Sequence, residues 1–303
     1  MKKETFNLEF ITPCFCAGAD QAKAEIRPSS IRGQLRWWFR ALGGSKKDEA
    51  LIFGATAGED NRSSALIVRV SKIQRGPDWR VFPMKMGTPG GYIWYYASVA
   101  SDKRRWYKQA PQRSGSPGII NNEGHLPPGT AFTLNLVWRR TLDAGLEDQF
   151  RLALEAFLRF GAIGMRATRA AGAFICKEFA FADANEIDFE KRLKSSGFEI
   201  KRRAETWNDW RDAVFDAEGW LKNKLRKENS AGKNGGNQTP LGSSSPRQTS
   251  AVYLRPLKFR DGRFGLVIFE APHIRVLGRP SRRDPPAIRN LDPSKRPPEV
   301  ERR

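Results

Sequence analysis

The chain has 303 residues and carries 53 lysines and arginines against 33 acids, a formal charge of +20. Excess of that size speaks to partners and points to a polyanion, most simply nucleic acid, over an anionic membrane surface. No apolar run approaches the ~20 residues that cross a bilayer, the amino terminus has no uninterrupted apolar core, and three cysteines make no disulfide framework. A cytoplasmic, reducing setting with no membrane partner is therefore expected.

In chain order, TFNLEFIT (5–12) alternates apolar and polar residues like a strand, and Pro13 and Gly18 open a loop. A helix is predicted from Pro28, a residue tolerated in a first turn because its missing N–H costs nothing there. Ile31, Leu35, Trp38, Phe39 and Leu42 form its apolar face, and Gly43-Gly44 ends it. A strand is predicted at 65–73, then a long Gly/Pro/Arg/Tyr-rich insertion at 74–130 with a hairpin at 91–99. A strand at 131–140, an amphipathic helix at 148–160, a glycine-rich stretch and a strand at 173–181 follow.

This order, βαβ–insertion–βαβ, predicts an α+β fold with a ferredoxin-like (RRM-like) βαββαβ unit over 1–182. The span 183–278 reads as a second, degenerate ferredoxin-like half. It has a strand at 198–203, a helix at about 207–228, a Gly/Ser/Asn-rich break at 229–249, and two strands around Asp261-Gly262, a hairpin signal. From Arg279 the chain is Pro- and Arg-rich with little apolar periodicity, so 279–303 reads as a disordered basic tail.

Two clusters carry candidate chemistry. In IRPSSIRGQLRWWFRAL, Arg32, Arg36 and Arg40 recur at every fourth position and so share one helical face. No acid occurs between Glu25 and Asp48, so i,i+4 pairs cannot neutralise the row; acids from elsewhere in the chain remain open. Ser29, Ser30 and the backbone N–H groups of the helix start suit a phosphate. Trp38 and Phe39 belong to the core, while Trp37 lies off that face and either stacks on a base or packs on a neighbouring segment.

The second cluster is LRFGAIGMRATRAAG (158–172). Gly161 and Gly164 permit positive φ and close backbone approach, Arg166 and Arg169 add charge, and no acid occurs from Glu155 to Glu178. Such a turn is expected to hold a phosphodiester by main-chain N–H groups. It has neither a Walker lysine nor the strand–turn–helix context of a dinucleotide fingerprint.

Together ITPCFCAGAD, IRPSSIRGQLRWWFRALG, FGAIGMRATRAAGAF and LGSSSPRQTSAVYLRPLKF resemble the RAMP superfamily of CRISPR proteins. The likeness is to the family of first subunits of type III-B (Cmr) RNA-targeting effector complexes, and it spans about 5–55, 150–180 and 240–272. The one departure is Ala170-Ala171, where the family usually has glycine and an aromatic. The resemblance implies a non-catalytic RNA-binding subunit near the 3′ end of the guide. Its implied partners are crRNA, target RNA, other RAMP subunits and the large polymerase-like subunit. Arg27 and Arg247 complete the expected RNA-contacting set with Ser29, Ser30, Arg32, Arg36, Arg40, Gly161, Gly164, Arg166 and Arg169.

The alternative is a metal-independent RAMP endoribonuclease that processes CRISPR RNA. It would need a base and an acid about a 2′-hydroxyl, and there are two histidines, His125 on a loop and His273 after a strand. His125 reads more simply as a surface loop residue. Cys14, Cys16 and Cys176 lack zinc spacing, and no metal or cofactor is expected.

Overall fold

A computed structural model describes residues 2–20, 23–55, 61–77, 93, 107–109, 119–120, 123–179, 185–229, 240–244, 247–277 and 287–297. Most of the 74–130 insertion and the hairpin expected at 91–99, apart from Ile93, lie outside the described residues.

The first sheet contains β1 (Lys3–Phe10), β2 (Leu66–Gln74), β3 (Ala131–Trp138) and β4 (Phe174–Cys176). Their order is β2-β3-β1-β4 and every pairing is antiparallel. Helix α1 (Pro28–Ala41) and a shorter helix α2 (Lys46–Phe53) join β1 to β2, and α3 (Ala144–Phe160) joins β3 to β4. That is the ferredoxin-like βαββαβ connectivity. On β1, Phe6, Leu8 and Phe10 are buried, while Thr5 and Asn7 face the open side. There Thr5 Oγ1 lies 3.1 Å from Asn135 Oδ1, and the Asn7 side-chain amide donates to Glu178 at 2.9 Å.

After α4 (Asn185–Ser195) come β5 (Glu199–Arg202), α5 (Trp210–Gly219), β6 (Val252–Lys258) and β7 (Phe264–Glu270). Helix α5 continues through a π-helical turn, Trp220–Leu225, into Arg226–Asn229. The sheet order β6-β7-β5 repeats the β2-β3-β1 order of the first unit. This half therefore carries the first helix and first three strands of a ferredoxin-like unit. The hairpin turns at Gly262, whose φ of +85° suits glycine.

Strands β6 and β7 are buried on both faces, which is why their sequences run apolar instead of alternating. One face shares the core of the first unit, with Tyr253, Leu257, Val267 and Phe269 beside Trp38 and Phe160. The other face packs Val252, Leu254, Leu266 and Ile268 against Trp210, Val214, Ala217 and Trp220.

The tail departs from its expected disorder over 287–297. Ile288 and Leu291 are buried in that second core, the Ile288 N–H donates to Glu270 Oε2 at 3.1 Å, and Arg203 donates to the carbonyls of Pro293 and Lys295. Two apolar anchors three residues apart secure a segment whose prolines and charges otherwise suggest a random chain. Residues 279–286 and 298–303 lie outside the described residues.

Candidate nucleic-acid interface

Helix α1 has two jobs on two faces. Ile31, Leu35, Trp38, Phe39 and Ala41 are buried, and the tryptophans dock the helix on the second half. Trp38 stacks on Phe198 and tilts against Phe269, and Trp37 lies 5.0 Å from the Tyr253 ring. Of the two readings open for Trp37, packing on a neighbouring segment is the one observed.

The opposite flank carries the arginine row and forms one wall of a groove of about 810 Å³. Helix α2 forms the other wall. Ser45 caps it, its hydroxyl accepting the Asp48 N–H at 3.1 Å, and Gly54 ends it at φ +75°, where a Cβ would lie 2.7 Å from the Arg62 carbonyl oxygen. Among the described residues, the groove gathers Arg32, Arg36, Arg40, Lys46 and Arg62, with Ser29 and Ser64, around one carboxylate, Glu49. Arg36 Nε lies 2.6 Å from Glu49 Oε1, and Arg40 Nε 3.2 Å from Glu49 Oε2. Acids are absent from the sequence near the row, and this one arrives from the next helix. Arg32 donates through Nη2 to the Phe53 carbonyl, and burial together with the adjacent Arg36 charge lowers its pKa from the ordinary guanidinium value.

Ser29, Arg32, Arg36 and Arg40 thus share one groove. Arg27, which is exposed, and Ser30 stand outside its lining, as do Gly161, Gly164, Arg166 and Arg169. The side chain of Arg247 lies outside the described residues. Lys46, Arg62 and Glu49 were not singled out from sequence. The signal available was Ser45-x-x-Asp48, a capping pattern that marks the start of α2.

Much of the glycine-rich stretch is engaged within the protein itself. Gly161 adopts φ −68°, so it has no need of the left-handed region. A Cβ there would lie 2.3 Å from the Phe157 carbonyl oxygen, so the requirement is close packing. Gly164 does take positive φ, as do Arg166 and Ala170, the latter at the position where the resembled family has glycine. The main-chain N–H groups of Ile163, Met165, Arg169, Ala170, Ala171 and Gly172 all donate within the protein.

Arg169 is only 4% exposed, and its guanidinium donates to the carbonyls of Thr168 (2.9 Å), Val252 (3.1 Å) and Leu241 (2.7 Å) and to Ser250 Oγ (3.3 Å). The expectation of a phosphate-binding Arg169 is corrected: its donors hold the edge of β6. The Leu254 N–H donates to Thr168 O at 3.3 Å, and the Ala170 N–H to Leu254 O at 3.0 Å. A second buried arginine, Arg255, ties β6 to the carbonyls of Gly161 and Phe174. Burial lowers its pKa to about 9, which leaves it charged at neutral pH.

His125 is 2% exposed, not at the surface as expected, with its ring beside Phe15 and its carbonyl accepting from Arg75 at 2.9 Å. His273 Nε2 lies 2.5 Å from buried Glu270. Neither lines the groove. Cys14, Cys16 and Cys176 are buried free thiols, and among the described residues no three His, Cys, Asp or Glu side chains cluster as metal ligands would. No helix among them is long and apolar enough to cross a membrane.

A complete βαββαβ unit followed by a β-α-β-β repeat of its first part defines a tandem ferredoxin-like protein with a cationic groove on its first helix. The RAMP superfamily model matches residues 7–175, more than half of the chain, and the protein belongs to that superfamily.

Two Pyrococcus furiosus proteins are similar to it in sequence. The CRISPR system Cmr subunit Cmr1-2 is 30% identical over 189 residues, 57% of this chain and 94% of that protein. Cmr subunit Cmr1-1 is 29% identical over 182 residues, 56% of this chain and 46% of that protein, so less than half of its length is matched. The apo crystal structure of Pyrococcus furiosus Cmr1 superposes with a TM-score of 0.53 at 19% identity, over 89% of this chain and 88% of that one. A chain of the type III-B Cmr-beta complex bound to cognate target RNA gives 0.52 at 11% identity, over 88% and 94%. These two likenesses are of fold.

Proposed function

We propose that the protein is a non-catalytic RNA-binding subunit of a type III-B CRISPR effector complex. It contacts crRNA and target RNA near the 3′ end of the guide, beside other RAMP subunits and the large polymerase-like subunit. Similarity to a named Cmr subunit over 94% of that protein's length supports the place in the complex.

The observation that carries RNA binding is the groove: among the described residues, five cationic side chains and two hydroxyls around one carboxylate. Guanidinium forks match phosphate oxygens, whereas nothing in the described lining supplies a donor–acceptor code for bases. Binding is therefore electrostatic and largely indifferent to sequence. The burial of His125 and the engagement of His273 Nε2 with Glu270 support the non-catalytic reading over the endoribonuclease, because a base must reach the 2′-hydroxyl it deprotonates. Charge reversal by Arg36→Glu with Arg40→Glu tests the reading. Loss of single-stranded RNA binding by the folded variant is expected, and unchanged binding would refute it.

A further inference from the structure

The arginine row carries its own counter-charge. Glu49 is 5% exposed and divides its two oxygens between Arg36 and Arg40. The two arginine side chains keep 41% and 52% of their surface open to solvent. Arg32 differs from both: Glu49 does not reach it, and its Nε is buried with no hydrogen-bond partner among the described residues.

We propose that Glu49 is a built-in competitor that attenuates the groove's affinity for a phosphodiester backbone. The inference rests on the reading of the groove as the RNA-binding surface. A phosphate approaching Arg36 or Arg40 must share a guanidinium that already holds a carboxylate, and it is repelled by that carboxylate at a separation of a few ångströms. Like charges at this range weaken binding without abolishing it. The outward edges of both guanidiniums still donate, so the isolated chain grips RNA loosely. Firm retention then requires contacts added by neighbouring subunits on the same strand, which raise the effective concentration of RNA at the groove.

The sequence does not obviously need an acid here. Helix α2 is capped by Ser45, and Asp48 already supplies negative charge to its first turn. A glutamine at 49 would keep the side chain's shape and one acceptor. The acid therefore changes the field of the groove more than the build of the helix.

The test measures binding of a fluorescein-labelled ten-nucleotide oligouridylate to the full chain across a salt series. Wild type is compared with Glu49→Gln, Glu49→Met, Arg36→Ala/Arg40→Ala and the combination of Glu49→Gln with the double alanine. Circular dichroism confirms the fold, and either Glu49 variant suffices if the other unfolds. Removing the carboxylate is expected to tighten binding about three- to tenfold and to steepen the salt slope by about 0.7 for each phosphate gained. The gain should vanish in the double-alanine background, where there is no guanidinium left to release.

A folded Glu49 variant that binds no tighter, or one whose gain persists without Arg36 and Arg40, overturns the proposal. If the double alanine weakens binding in that same experiment, the groove reading survives the proposal's failure. Equal RNA affinity of wild type and double alanine would remove the groove reading, and the proposal with it.

Discussion

The indole of Trp38 lies over the ring of Phe198, with centroids 5.6 Å apart and planes 11° from parallel. This stack joins the helix that bears the arginine row to the chain just before β5, so the groove's main wall is braced by the second half. Trp38 is 1% exposed. Trp38→Ala is expected to destabilise the protein by about 3–5 kcal/mol, the range for emptying a buried aromatic site. Urea unfolding should show the loss, and RNA binding should fall only as far as the folded fraction does.

Arg169 separates the two clusters by experiment. Its donors end on three carbonyls and a hydroxyl, so Arg169→Ala leaves buried acceptors without partners at a cost of about 1–3 kcal/mol for each one not rehydrated. Lysine keeps the charge but cannot span the same set with one ammonium group. Both variants should lower the urea midpoint. Their RNA affinity, measured well below that midpoint, should stay within about twofold of wild type.

The thiols give a pH dependence with a definite sign. Burial, then the neighbouring Cys16, push the Cys14 thiol well above its ordinary pKa, and burial, then Glu178, push Cys176 up as well. The unfolded chain releases these protons near pH ~8.5 and the folded chain does not. Stability contributed by the two thiols is therefore intact below that pH and is lost as pH rises, at about 1.4 kcal/mol per pH unit per thiol. Iodoacetamide at pH 8 should leave Cys14 and Cys176 unmodified in the native protein and alkylate both in urea, as mass spectrometry would read directly.

The segment 287–297 should behave as part of the second core. Ile288→Ala with Leu291→Ala empties two buried sites, each worth about 2–5 kcal/mol. Hydrogen exchange should accelerate in Trp210–Gly219, the helix on which these residues pack. Unchanged protection there would mean that the segment contributes nothing to that core.

Some of this was legible in the sequence. Helix α1 announces itself because its apolar residues recur every three or four positions between a proline and a glycine pair. The hairpin at Asp261-Gly262 is equally local. Helix α2 escaped because one apolar run at 50–53 in an eight-residue helix gives no repeat to read. Glu49's role escaped with it, since its partners are 9 and 13 residues upstream and meet it only through tertiary packing. Arg169 and the tail failed for a related reason. An arginine in a glycine-rich turn looks the same whether it ends in solvent or on carbonyls, and Ile288 and Leu291 are too few to outweigh the prolines around them.

The central claim is that the α1–α2 groove holds RNA through its phosphates, and filter binding of single-stranded RNA across a salt series tests it most directly. With about five phosphates engaged, the wild-type plot of log K against log salt should fall with a slope of roughly −3 to −4. The folded Arg32→Ala/Arg36→Ala/Arg40→Ala variant should lose about two units of that slope, and about a hundredfold in affinity at ~1 kcal/mol per arginine. A folded triple variant with the wild-type slope and affinity would contradict the claim.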